Sequence, residues 1–160
     1  LAAILYCRIK KLVFLEYFDL CSASIALAQG FGRIGCFLAG CCYGRETASS
    51  FGVIFPEGSL APAGVKLIPT QLLSSAGDFA IMFILLWHYH HRKKVGDTGF
   101  LYMLLYGLGR FFIEFLRNDN RGAVGIFSTS QFISLFIIAG AVLLFFWKNR
   151  LPAGTGGETR

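Results

Sequence analysis

Five ionisable side chains stand inside long apolar runs of the sequence: Asp19, Arg33, Asp78, Arg110 and Glu114. A charge held within a bilayer costs about 2.5–3.5 kcal/mol on insertion scales, so such residues are the first candidates for function. At about 100° per residue, Tyr106, Arg110, Glu114 and Arg117 fall within a wedge about 80° wide on one helix. On the simplest reading Arg110 and Glu114, at i and i+4, neutralise each other. Arg33 and Arg117 then add two cations without an evident partner. Facing one cavity, this set makes a net positive site near the outer leaflet. Its natural ligand is an anionic head group, because guanidinium groups grip phosphate through paired hydrogen bonds. Asp19 and Asp78 fit a different task, as hydrogen-bond partners between packed helices.

A second group of candidates lies between Gly30 and Gly44, in the run Gly-Phe-Gly-Arg-Ile-Gly-Cys-Phe-Leu-Ala-Gly-Cys-Cys-Tyr-Gly. Gly30, Gly32 and Gly35 match the spacing of a dinucleotide-binding loop, but no alternating strands and helices surround them and Gly40 and Gly44 break any helix that should follow. In a membrane, small residues serve instead to bring helices close and to let the backbone approach a ligand. Cys36, Cys41 and Cys42 lack the second Cys pair or His that a zinc site adds, and His88, His90 and His91 are expected at the opposite membrane face. Neither a metal nor a cofactor is therefore expected. A disulfide from Cys36 to Cys41 or Cys42 stays open, and packing is the expected role of Cys7 and Cys21.

The elements that must position these residues follow from composition. Of 160 residues, 55% are hydrophobic and only 15% charged, against about 45–50% and about 25% in soluble domains. The mean hydropathy is +0.60. A soluble globular enzyme, a disordered chain and a small disulfide scaffold are all excluded on these grounds. The fold class is all-α, a polytopic transmembrane helix bundle. The net charge of +6 does not point to nucleic acid. Its cations cluster at Arg8, Lys10 and Lys11, at Arg92, Lys93 and Lys94, and at Lys148 and Arg150, each beside a long apolar run, as in cytoplasmic loops.

At about 20 residues per crossing, the bundle of residues 1–150 holds four spans, about 17–38, 70–87, 99–116 and 130–147. Leu1 to Tyr6 is the end of an earlier helix, and the chain is expected to be the C-terminal part of a longer protein. With the three basic clusters inside, the first span leads out, the second returns, the third leads out toward Arg117 and Arg121, and the fourth returns. The C-terminus is then cytoplasmic, with residues 151–160 a flexible Gly-rich tail. Pro56, Gly58, Pro62, Gly64 and Pro69 mark an outer loop of about 41–68, long enough to suggest function.

The run Gly32-Arg33-Ile34-Gly35 through Gly44 resembles the signature of the prolipoprotein diacylglyceryl transferase family. Tyr106-Gly107-Leu108-Gly109-Arg110-Phe111, continuing to Glu114 and Arg117, is similar to that family's second arginine motif. Pro69-Thr70-Gln71-Leu72 resembles its Pro-x-Gln-Leu segment, and Gln131 fits as well. The resemblance covers about Asp19 to Trp147. It implies a multi-pass enzyme of the bacterial plasma membrane that moves the diacylglyceryl group of phosphatidylglycerol to the lipobox cysteine of a prolipoprotein. Arg33, Arg110 and Glu114 are then catalytic, and Arg33, Gly35, Gly44, Tyr106, Arg110 and Arg117 bind substrate. Cys36 and Cys41 depart from it, standing where members often carry Asn and an acidic residue. The family's Tyr and His-Gly-Gly segment lies upstream of Leu1, so this stretch alone is expected to be inactive. Two other classes compete with the transferase: a protein that binds or transports an anionic lipid or solute without chemistry, and a thiol-redox protein built on the three cysteines.

Overall fold

The computed structural model describes residues 2–92, 94–117, 123–124 and 127–150. Lys93, Arg121 and the tail 151–160, each given a place in the topology above, lie outside the described residues. A short helix α1 (Ala2–Ile9) turns into α2 (Phe14–Ala39), and a small β1–β2 pair (Val53–Ile54, Lys66–Leu67) precedes α3 (Thr70–His91). Helix α4 (Asp97–Glu114) is followed by the pair β3–β4 (Ala123–Val124, Phe127–Ser128) and by α5 (Thr129–Arg150). Both pairs are antiparallel.

Helices α2, α3 and α5 are each long and apolar enough to cross a membrane. Their outward faces carry large apolar side chains exposed from the bundle, among them Leu20, Phe31, Phe83, Trp87, Phe136 and Leu143. Exposed apolar surface on this scale has no place in water and belongs against lipid. The molecule is an all-α polytopic membrane protein. Helix α4 has 18 residues and carries Asp97, Arg110 and Glu114. It packs along α5 and against α3 and α2.

Inside the bundle, small residues of α2 decide how near its neighbours come. Ala23 and Ala26 meet Leu85 of α3 and Tyr102 of α4, with Phe18, Ile81 and Met82 packed around them. Ser75 of α3 donates a 2.9 Å hydrogen bond to the Gly30 carbonyl, and a Cβ on Gly30 would run into the Phe79 ring. Gly30 thus serves close helix packing, as the small-residue reading expects. Cys7 is buried, but Cys21 is exposed on α2, so the packing role expected for both holds for Cys7 alone.

At the lower end of the bundle the buried carboxylate of Asp19 is fully consumed. It accepts hydrogen bonds from the backbone N–H groups of Gly96 (2.6 Å) and Gly99 (2.7 Å) and pairs with the Arg92 guanidinium. Gly96 and Gly99 lie at the first turn of α4, whose leading N–H groups have no partner within the helix. A carboxylate from another helix therefore caps α4, favoured by the positive end of its dipole. Gly99 must be glycine, since a Cβ would overlap the Phe18 ring. Asp19 is the helix-packing partner it was expected to be.

The opposite end is closed by residues 41–68. Phe55, Ala61 and Leu67 form a second apolar cluster with Phe37, Tyr43 and Val65, so the long loop is a packed cap over the end of α2. Replacing Asp19 by Ala strands the Arg92 charge and two backbone N–H groups. The expected cost is about 3 kcal/mol, read as a lower thermal unfolding temperature in detergent, with a smaller loss for Asp19→Asn.

Candidate functional site

Between α2, α3 and α4, on the side of the cap, lies a cavity of about 130 Å³. Arg33, Asp78, Tyr106 and Arg110 line it, together with Ser74 and apolar residues such as Leu73, Ile81 and Ile113. Its charged lining is two guanidinium groups and one carboxylate, a net positive count in a low-dielectric wall. Nη1 of Arg110 is buried there without a hydrogen-bond partner. A buried N–H of a charged group left unpaired is costly, and an anion in the cavity would satisfy it. Gly77 and Gly109 are the cavity's glycine wall positions. Tyr106 stacks on Tyr102 with ring centroids 5.7 Å apart, which holds its ring toward the cavity.

Asp78 belongs to this site, not to helix packing alone. By residue type alone, a lone acid in a span is most simply a packing partner. The signal available was its register: on α3, Ser74, Gly77, Asp78 and Ile81 follow i, i+3, i+4, i+7 spacing, and all four line the cavity.

The wedge of Tyr106, Arg110, Glu114 and Arg117 does not survive as one face. Helix α4 ends at Glu114 and the backbone turns through Phe115 and Leu116, so Glu114 and Arg117 point into a separate buried seam. Nε of Arg117 lies 4.0 Å from Glu114 Oε2, and the side chains are only 4% and 6% exposed. The expected Arg110–Glu114 pair is replaced by this one, and Arg117 is a structural cation, not a second free charge of the cavity. Ser128 Oγ donates to Glu114 Oε1 at 3.0 Å. Ser128 also accepts from the Gln131 N–H at 3.2 Å, while Gln131 Oε1 accepts from the Ser128 N–H at 3.0 Å. This reciprocal arrangement is a capping box at the start of α5. Gly44 enters the same seam. Its N–H donates to the Ile68 carbonyl (2.9 Å), the Arg45 N–H donates to the Leu116 carbonyl (2.9 Å), and Gly44 pairs with Arg117 as an isolated bridge.

A sequence profile of the prolipoprotein diacylglyceryl transferase family matches residues 1–147. The chain belongs to that family. It is 60% identical over 140 residues to phosphatidylglycerol–prolipoprotein diacylglyceryl transferase 2 of Clostridium perfringens (strain 13 / Type A), covering 87% of this chain and 55% of that protein. It is 51% identical over 141 residues to the phosphatidylglycerol–prolipoprotein diacylglyceryl transferase of Clostridium tetani (strain Massachusetts / E88), covering 88% and 57%. The protein of that name from Finegoldia magna (strain ATCC 29328 / DSM 20472 / WAL 2508) is 37% identical over 147 residues, covering 91% and 56%. The chain thus spans little more than half the length of these relatives.

The residues whose motifs resemble those of the family occupy two places in this fold. Arg33, Tyr106 and Arg110 meet in the cavity, whereas Gly44, Glu114 and Arg117 build the seam that joins the cap to α4 and α5. Gly35 takes neither place: a Cβ on it would meet nothing within 4 Å. Thr70 and Gln71, whose side chains are almost fully buried, hold the cap instead. Thr70 Oγ1 donates to the Cys42 carbonyl (2.9 Å) and Gln71 Nε2 to the Cys41 carbonyl (2.7 Å). The five cysteines are thiols, without the disulfide left open above. Burial, with its neighbours Cys36 and Cys42, pushes the Cys41 thiol up to about 11.

Gly44→Ala would place a Cβ within 2.8 Å of the Leu116 and Ile68 carbonyl oxygens. Those are backbone atoms and cannot swing away, so the cap should detach and the unfolding temperature fall. Ser128→Ala removes one half of the capping box and leaves Glu114 short of a donor. Its expected cost is about 2 kcal/mol, measured in the same assay.

Proposed function

We propose that these residues form the phosphate-binding part of a phosphatidylglycerol–prolipoprotein diacylglyceryl transferase of the bacterial plasma membrane. The observation that carries this reading is the buried, unpartnered Nη1 of Arg110 beside Arg33 in a cavity with a net positive lining. Membership of the family adds the reaction class.

In the reaction, the lipobox cysteine sulfur attacks the glyceryl carbon that bears the phosphate ester of phosphatidylglycerol. A C–S bond forms, the C–O bond breaks, and glycerol phosphate departs with the bonding electron pair. The proton lost by the thiol ends in solvent or on the departing phosphate. Charge grows on the phosphate oxygens as that bond breaks, so fixed guanidinium donors help the transition state more than the ground state. Arg110 and Arg33 are the catalytic residues on this reading. Asp78 supplies the countercharge that keeps the two arginines together in the absence of substrate. Tyr106 borders the head group, and Gly35, exposed on α2 about 200° round the helix from Arg33, leaves that face open to lipid. Glu114 and Arg117 act as positioning residues, through the seam that holds the cap with Gly44 against the end of α4.

The partners are therefore phosphatidylglycerol, the lipobox of a prolipoprotein and the surrounding membrane lipids. The topology has four crossings, α4 included, with the cap of residues 41–68 outside and the C-terminus cytoplasmic.

The decisive assay uses the complete reading frame in membranes with phosphatidylglycerol and a lipobox peptide, reading the peptide's mass. A diacylglyceryl increment is expected, and Arg33→Ala or Arg110→Ala should each lower the rate by about 100-fold or more at unchanged expression. Normal turnover in either variant overturns the assignment, and a peptide that binds without gaining mass leaves a lipid-binding protein. For the topology, Ser49→Cys should gain labelling by a membrane-impermeant maleimide on intact cells, above the unsubstituted protein. His90→Cys should gain it only after lysis; the reverse pattern inverts the bundle.

A further inference from the structure

The strongest feature that the transferase reading leaves unused is the group of three thiols at the end of α2. Cys36 lies in the last turn of the helix, and Cys41 and Cys42 follow its left-handed end at Gly40. Their sulfurs all lie within 4.8 Å of one another. Neighbouring residues of an extended chain point to opposite sides, so two adjacent cysteines do not ordinarily face the same third one. Here Cys42 takes a left-handed backbone with φ of 62°, a conformation that side-chain-bearing residues seldom adopt.

The backbone under the thiols is pinned from every side. The Cys41 N–H donates to the Cys36 carbonyl at 3.0 Å. The Cys41 and Cys42 carbonyls accept from the buried side chains of Gln71 and Thr70. The three cysteines are only partly buried, whereas Cys7 is fully buried. Residues placed for packing would be covered; these are gathered, held and left within reach of an ion.

We propose that Cys36, Cys41 and Cys42 form a three-thiolate site for a thiophilic metal ion of the Zn(II) type. Soft thiolate donors select such ions over the hard cations that prefer oxygen. With Zn–S bonds of about 2.3 Å, tetrahedral geometry sets the sulfurs about 3.8 Å apart, so each gap closes by about 1 Å or less. Water completes the fourth position. Each S–H gives its proton to solvent as its sulfur–metal bond forms, three protons per ion, and nothing is oxidised or reduced. A disulfide would engage two of the sulfurs and leave the third without a role. The ion would tie the last turn of α2, one turn beyond Arg33, to the start of the cap. The assignment stands on the thiols themselves and does not depend on the transferase reading.

The test uses the full-length protein, purified in detergent, reduced and freed of metal. Cd(II) is titrated in as the probe, and its thiolate-to-metal charge-transfer absorption is followed in the ultraviolet. The band should saturate at one ion per chain and be displaced by Zn(II). X-ray absorption of the Cd(II) form should give three sulfur neighbours, a readout that needs no mutant. Cys36→Ser and Cys42→Ser should each weaken binding more than about 100-fold, beyond what loss of an outer-shell contact costs. A Cys7→Ser, Cys21→Ser double variant should bind as before. Absence of a band, fewer than three sulfurs at the ion, or full binding in Cys36→Ser overturns the site.

Discussion

A carboxylate buried inside a membrane bundle must be met by donors, and Asp19 meets that demand in a way that sets the register of three helices. It takes the first turn of α4 and the Arg92 guanidinium just past the end of α3. Helices rise about 1.5 Å per residue, which turns this clamp into a ruler. Arg33 lies 14 residues along α2 from Asp19, or about 21 Å. Asp78 lies 14 residues back along α3 from Arg92, again about 21 Å. Arg110 lies 11 residues along α4 from Gly99, or about 17 Å, and a long guanidinium side chain spans the remaining difference. The charges of the cavity arrive at one level because one carboxylate ties together the starts of α2 and α4 and the end of α3.

The other end of the bundle obeys the same rule with different groups. Glu114 is satisfied by Ser128 and faces Arg117, and the capping box of α5 shares its Ser128 hydroxyl with that carboxylate. The Gly44 backbone slots between Ile68, just past β2, and the turn after α4. Polar closure at both ends leaves the middle with Arg33, Arg110 and Asp78, where positive charge exceeds negative. That excess gives the cavity its net positive lining, and neither end can relieve it without opening its own seam.

Much of this was legible in the chain. The spans at 70–87 and 130–147 fall within α3 and α5, and 17–38 within α2, because apolar runs bounded by glycine, proline and cations leave a helix little choice in lipid. Arg33, Arg110 and Tyr106 were identifiable because ionisable groups in such runs stand out, and the resemblance of their motifs pointed the same way. The wedge on the third span misled for one reason. Arg117 lies three residues past the end of α4, and beyond a helix end the angle between side chains is no longer set by spacing. Asp78 is hard to place from spacing because its charged neighbours across the cavity, Arg33 and Arg110, are 45 and 32 residues away along the chain.

The sequence by itself determined the medium, the helices and which ionisable residues lie within them, since these follow from hydropathy, length and residue type. Only the tertiary structure decided which charges share a cavity, which are spent in seams, and that three cysteines meet. Those outcomes rest on partners far apart in the chain: Asp19 on Gly96 and Gly99, Glu114 on Ser128, Cys41 on Gln71. They rest also on two left-handed residues, Gly40 and Cys42, whose turn redirects the chain. Local spacing carries no record of such contacts, because the donors and acceptors become neighbours only when the helices pack.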